Sequence, residues 1–108
     1  MTLDDYQQLA LRTAGNHGDF ERTLIYTALG LNGEAGETAE LVKKTFFHGH
    51  DLEADKLKKE LGDVLWYVAV MAKAMDWSLD EVAQDNIDKL ARRYPEGFSA
   101  ERSRRRAE

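Results

Sequence analysis

No cysteine occurs among the 108 residues. This removes a disulfide scaffold, a thiolate metal site and a cysteine nucleophile, so any metal must sit among carboxylates, imidazoles and backbone oxygens. Proline occurs once, at Pro95, and the stock of Ala, Leu, Glu, Lys and Arg favours helices, so strands find little support. No run approaches the roughly 20 uncharged apolar residues that a membrane span needs, and Met1 to Asp5 offers neither a basic segment nor an apolar core for export. The expectation is a cytoplasmic protein with no membrane partner. Net positive charge is also missing. Twenty acidic against fifteen basic residues leave −5, which speaks against nucleic acid as a partner of the whole body, although a local basic patch stays compatible with it.

What is present is helical periodicity. Leu3, Tyr6, Leu9 or Ala10, and Thr13 predict a short first helix that stops near Gly15-Asn16-His17-Gly18. A long second helix runs from about Phe20–Thr23 to Phe46, with Leu24, Ala28, Leu31, Ala35, Thr38 and Val42 as its stripe, and stops at His48-Gly49-His50-Asp51. The third starts near Glu53 to Lys56 and carries Leu57, Leu61, Val64, Leu65, Val68, Ala72 and Met75. Ser78-Leu79-Asp80-Glu81 matches a capping box, so a fourth helix follows, with Val82, Ala83, Ile87, Leu90 and Ala91 inward, ending after Tyr94 at Pro95 and Gly97. The fold class is all-α: a four-to-five-helix bundle with antiparallel second and third helices, one domain over 1–98, and a mobile basic tail over 99–108. So thin a bundle buries a modest core, and the apolar residues left on the long helices favour self-association.

Acidic residues three apart occur at Glu34 and Glu37, Glu37 and Glu40, Glu60 and Asp63, and Asp85 and Asp88. Asp85 and Asp88, among Gln84, Asn86 and Lys89, fit a solvated face. Glu34, by contrast, interrupts the apolar stripe between Leu31 and Leu41, and Glu37 lies one turn on, about 60° round by the 3.6-residue period. Glu60 and Asp63 are flanked by Leu61, Val64, Leu65 and Trp66. Four carboxylates beside a core disfavour one another's ionisation, an objection that a divalent cation removes. The 22 residues between Glu37 and Glu60 hold a helix end, a turn and a helix start, so both pairs can face each other at similar heights. Oxygen donors suit Mg²⁺ or Mn²⁺ better than zinc. A ferritin-like di-iron site would need Glu-x-x-His, and none of His17, His48 and His50 has a glutamate three residues earlier.

Gly30, Gly33 and Gly36 lie inside the second helix and Gly62 inside the third, each costing about 0.5–1 kcal/mol relative to alanine. They serve either helix packing or close approach of a ligand. Three blocks then stand out: Gly30-Leu31-Asn32-Gly33-Glu34-Ala35-Gly36-Glu37, Lys59-Glu60-Leu61-Gly62-Asp63-Val64-Leu65-Trp66-Tyr67, and Asn86-Ile87-Asp88-Lys89-Leu90-Ala91-Arg92-Arg93-Tyr94-Pro95. In this order, over about residues 20 to 98, they resemble the MazG-type nucleoside triphosphate pyrophosphohydrolases. Thr38 stands where that family often has an aliphatic residue.

The resemblance implies an all-α NTP pyrophosphatase that uses magnesium to split a nucleoside triphosphate into monophosphate and pyrophosphate. It implies metal ligands at Glu34, Glu37, Glu60 and Asp63, nucleotide contacts at Asn86, Lys89 and Arg93, and a homodimer or homotetramer with sites near subunit contacts. Chemistry asks for similar parts: cations to reverse the sign of an acidic pocket, and a base, assigned to Glu37, to orient water. Asn86, Lys89 and Arg93 share a helix face, which otherwise reads as solvated. Tyr67 and Trp66 offer rings to a nucleobase, though a tryptophan there is more often core. Lys43, Lys44, His48 and His50 can approach phosphates, the histidines reading better as a solvated turn. The competing function is a non-catalytic interaction or nucleotide-sensing module that binds through its arginine tail; it has no need of four acids in its own apolar stripe.

Overall fold

Side chains that satisfy orphan amides set where the helices begin. In the computed structural model, which describes residues 1–106, Thr2 and Asp5 form a reciprocal capping box that opens α1 (Leu3–Leu11). Ser78 and Glu81 do the same for α4 (Leu79–Arg93), as the sequence predicts. Asp19 accepts from the Arg22 amide at 2.8 Å and opens α2 (Phe20–Phe47), while α3 (Ala54–Ala74) begins after the glycine turn. In that turn Gly49 has φ +73°, and the amides of His48 and His50 both reach the Lys44 carbonyl at 3.1 Å. None of the described residues forms a strand, and no described helix is long and apolar enough to cross a membrane.

The segment expected to be a mobile tail over 99–108 is helical for most of its described length. Ser99 accepts from the Arg102 amide and starts α5 (Ala100–Arg105), Arg105 pairs with Glu101 at 3.0 Å, and Arg102 Nε donates to the Arg93 carbonyl at 2.7 Å. That last bond fills an acceptor left open where α4 ends, so an arginine-rich run that looks featureless in sequence finds a local anchor. Ala107 and Glu108 lie outside the described residues.

The dominant packing is α2 on α3, antiparallel: Gly30 meets Tyr67, Glu37 meets Glu60, and Lys44 shares a cavity with Lys56. The contact line on α2 differs from the expected stripe. Leu24, Leu31 and Thr38 are half-buried as expected, but the positions between them that turn inward are Thr27, Glu34 and Leu41, leaving Ala28, Ala35 and Val42 exposed. Both lines have the same heptad-like spacing, so periodicity alone could not choose between them. The side taken by α3 is the one that carries Glu34.

Gly30 is required by this seam. A Cβ there would run into the Tyr67 ring, whereas Gly33, Gly36 and Gly62 face open space within the chain.

At the other end, α1 packs against α3 and α4 around Ala10, Ala69 and Leu79, with Tyr6, Trp66 and Val68 closing the cluster. Buried Gln7 ties the three helices together. Its Nε2 donates to the carbonyls of Ala69 and Trp77, both at 3.1 Å, and its Oε1 accepts from the Leu79 amide at 3.0 Å. Trp66 is structural: its Nε1 donates to the Ala10 carbonyl and to Thr13 Oγ1.

Much apolar surface is left uncovered. On α2 Ile25, Leu29, Val42 and Phe46 are exposed, on α3 Leu61 and Leu65, and on α4 Ile87 and Leu90, and five of these eight (Val42, Leu61, Leu65, Ile87 and Leu90) belong to the stripes expected to be buried. The radius of gyration is 16.9 Å, against about 13 Å for a compact domain near this length.

Two outcomes follow from these contacts. Gln7→Ala strands three buried backbone partners and should lower unfolding free energy by about 2 kcal/mol or more in urea titration, with helix content unchanged before the transition. Gly30→Ala should destabilise by about 1–3 kcal/mol through overpacking against Tyr67, whereas Gly33→Ala, with open space at its Cβ, should show no comparable loss.

Candidate metal centre

Glu34 and Glu37 project one turn apart from α2, and Glu60 projects from the facing turn of α3. One ligand oxygen from each can be chosen so that all three lie within 4.8 Å of one another. None of the three is in an ion pair with a described lysine or arginine. Glu34 Oε2 and Glu60 Oε2 are enclosed and have no hydrogen-bond partner. Enclosed carboxylate oxygens without donors are rare because desolvating them is expensive, and a bound cation is one of the few ways to compensate.

The same crowding moves protons. A hydrogen bond with Glu60, together with the Glu60 charge, pushes the Glu37 carboxyl above its ordinary value, and a hydrogen bond with Glu34 pushes Glu60 up in turn. A chain of carboxyls sharing protons is the response expected when like charges meet without a counterion. Thr38 does not disturb the set, since its hydroxyl donates back to the Glu34 carbonyl at 3.0 Å.

Asp63 is placed differently from the expectation of four converging ligands. It is exposed and stands outside the three-glutamate group, but with Glu60 it lines a cavity of about 610 Å³, and its charge helps push Glu37, Glu60 and Tyr67 upward. Three residues along a helix turn the side chain about 60° off the line of Glu60, which carries Asp63 to the rim of the seam.

Tyr67 lies next to the carboxylates, packed on Gly30, edge-on to Trp66 at 4.9 Å and tilted against Tyr26 at 5.9 Å. Its hydroxyl is pushed up by a hydrogen bond with Tyr26, by burial and by the charges of Tyr26, Glu34 and Asp63. Tyr26 stacks in turn on His17, with ring centroids 3.8 Å apart and planes at 19°. Sequence reasoning missed Tyr26 and His17 as neighbours of the site. The available signal was spacing, since Tyr26 precedes Gly30 by four residues and Glu34 by eight, hence on one face of α2.

Asn86, Lys89 and Arg93 share a face of α4, Asn86 exposed and the other two half-buried. None of the three lines the cavities of about 170 and 610 Å³ that Glu37, Glu60 and Asp63 line. His48 and His50 are exposed in their turn, in keeping with the solvated reading.

Residues 22–98 match the MazG nucleotide pyrophosphohydrolase domain. The chain is also 41% identical over 105 residues to the Gene 37 protein of Mycobacterium phage L5, an alignment covering 90% of this chain and 92% of that protein. No solved structure matches. The domain match takes in all of α3 and α4 and all but two residues of α2, the elements that carry the three glutamates, and the chain therefore belongs to the MazG nucleotide pyrophosphohydrolase family.

Proposed function

We propose that this protein hydrolyses nucleoside or deoxynucleoside triphosphates to the monophosphate and pyrophosphate in a Mg²⁺-dependent reaction, with Mn²⁺ as a substitute, as a nucleotide-pool house-cleaning enzyme. The observation that carries the reading is the pair of enclosed, partnerless oxygens on Glu34 and Glu60 at a three-glutamate cluster in a chain of this family. An all-oxygen donor set without sulfur or imidazole fits a hard divalent cation. Glu34, Glu37 and Glu60 would hold it, with Asp63 reached from the adjoining turn of α3. When bound, the cation supplies the positive charge that lets an acidic pocket accept a polyanion and polarises the phosphate oxygens.

The residues of the chain supply the rest. Glu37, whose carboxyl sits above its ordinary value, is suited to orient a water and take its proton. Tyr67, adjoining both Glu34 and Tyr26, offers a ring face to a nucleobase. Asn86, Lys89 and Arg93, which do not line the cavities beside Glu37, Glu60 and Asp63, would serve the nucleotide from a second subunit of a homodimer or homotetramer. The open shape, the exposed Leu29, Val42, Leu61 and Leu65, and the unfilled space beside Gly33, Gly36 and Gly62 support such an assembly.

A panel of canonical and modified triphosphates with product identification should show pyrophosphate, not orthophosphate, released with Mg²⁺ or Mn²⁺; no release with either ion from any substrate rejects the activity. Glu37→Gln should lower kcat by about 10²-fold or more while circular dichroism stays unchanged. Mg²⁺ should raise the Tm of the wild type and not of Glu34→Gln or Glu60→Gln. Because the Glu37 and Glu60 carboxyls are raised above their ordinary 4.5, the folded metal-free protein holds protons that the unfolded chain releases. Its stability therefore falls as pH rises past that value, and the Mg²⁺-induced gain in Tm should grow over the same interval and vanish in acid. Light scattering should give a multiple of the chain mass, and Val42→Glu with Leu61→Glu should reduce it toward the monomer.

A further inference from the structure

The seam between α2 and α3 changes chemistry in one direction. At one end Tyr26 and Tyr67 lie close together with His17 beyond them, in the middle stand Glu34, Glu37 and Glu60, and at the far end Lys44 and Lys56 line one cavity with Glu37, Glu40, Leu41 and Glu60. That cavity, about 170 Å³, opens directly off two of the three clustered glutamates. Its lysines do not neutralise them: no ion pair joins Lys44 or Lys56 to Glu37 or Glu60. Glu40, the remaining acid in the wall, is already held by Lys43 at 3.0 Å, an ammonium that keeps its carboxyl below the ordinary value. Lys56 has only a loose contact to Glu53 at 3.8 Å, outside hydrogen-bonding distance, and Lys44 has no ion pair among the described residues. Two lysine side chains thus line a space beside the carboxylates without a close ion pair among the described residues. At the aromatic end the cavity beside His17 and Tyr26 offers one cation, Arg22, next to Asp19 and Glu21.

We infer that Lys44 and Lys56 bind the terminal diphosphate of the substrate, so that the triphosphate lies along the seam with its base toward Tyr67 and Tyr26 and its leaving group toward the Gly49 turn. This rests on the hydrolase reading and adds to it the direction of the substrate and two positioning residues. Hydrolysis adds one water across the α–β phosphoanhydride bond, its hydroxyl ending on one product and its remaining proton on the other, while the broken bond leaves extra negative charge on the departing diphosphate. Ammonium groups fixed at that end stabilise charge where it develops. Lysine suits this role as a compact cation with three donors on a mobile stem.

The test is calorimetric titration of the Mg²⁺-containing full chain with inorganic pyrophosphate and, separately, with a nucleoside monophosphate. Lys44→Gln and Lys56→Gln should each weaken pyrophosphate binding about tenfold, the loss of one charge-assisted hydrogen bond, and leave monophosphate binding within about twofold. Lys56→Arg should recover much of the loss, and Tyr26→Ala should give the opposite pattern, with the monophosphate weakened and pyrophosphate spared. An unchanged Mg²⁺-induced Tm gain in the lysine variants would place the effect on the anion rather than on the metal site. Wild-type binding of both products with no change in either lysine variant, or equal weakening of both products, overturns the orientation and leaves the hydrolase reading standing. Wild-type protein that binds neither product overturns both.

Discussion

Mutual repulsion among Glu34, Glu37 and Glu60 is the constraint around which this small fold is arranged. The α2/α3 seam is the largest contact in the chain, yet at its middle it holds three carboxylates within one ligand sphere instead of leucines. The crowding pushes the Glu37 and Glu60 carboxyls above their ordinary value, and no described donor reaches the enclosed oxygens on Glu34 and Glu60. A helix pair optimised only for stability would not retain such an arrangement, because apolar residues of similar size would pack there at lower free energy. Packing alone does not account for this seam, and the proposed cation site rests on that excess of carboxylates.

Stability comes from the other end of the chain. The buried cluster of Ala10, Ala69 and Leu79 is small, and Gln7 compensates with three hydrogen bonds that join α1 to the end of α3 and the start of α4. Trp66 adds two more, to Ala10 in α1 and to Thr13 just beyond it, and, through its edge contact with Tyr67, links that cluster to the carboxylates. A rigid end and an exposed, glutamate-bearing end thus share α3. The large apolar side chains left on α2 and α3 are consistent with the proposed second subunit, which would cover the side of α2 that α3 does not use.

Local signals in the sequence translated directly. The Ser78 capping box, the Gly49 stop and the Pro95 terminator act within a few residues, so no tertiary information is needed to place them. Glu34, Glu37 and Glu60 were legible for a similar reason: acids inside an apolar period contradict the pattern around them. Asp63, expected beside the three glutamates, lies at the rim, and the face of α4 that carries Asn86, Lys89 and Arg93 lines neither carboxylate cavity. Both depend on where one helix sits relative to another. From Ser99 onward the polar, arginine-rich composition reads as a tail, whereas Arg102 donates to the Arg93 carbonyl, an acceptor left open where α4 ends.

The sequence by itself determined an all-α chain, the span of its four main helices and the oxygen-only chemistry of its candidate site, since composition, caps and 3.6-residue periodicity act locally. Tertiary structure decided which side of α2 faces α3, and with it that Thr27, Glu34 and Leu41 turn inward while Ala28, Ala35 and Val42 remain outside. It also decided that Tyr67 closes on Gly30 and that lysines and tyrosines occupy opposite ends of one seam. Two stripes of equal spacing share Leu24, Leu31 and Thr38, and only the docking of a second helix breaks that degeneracy.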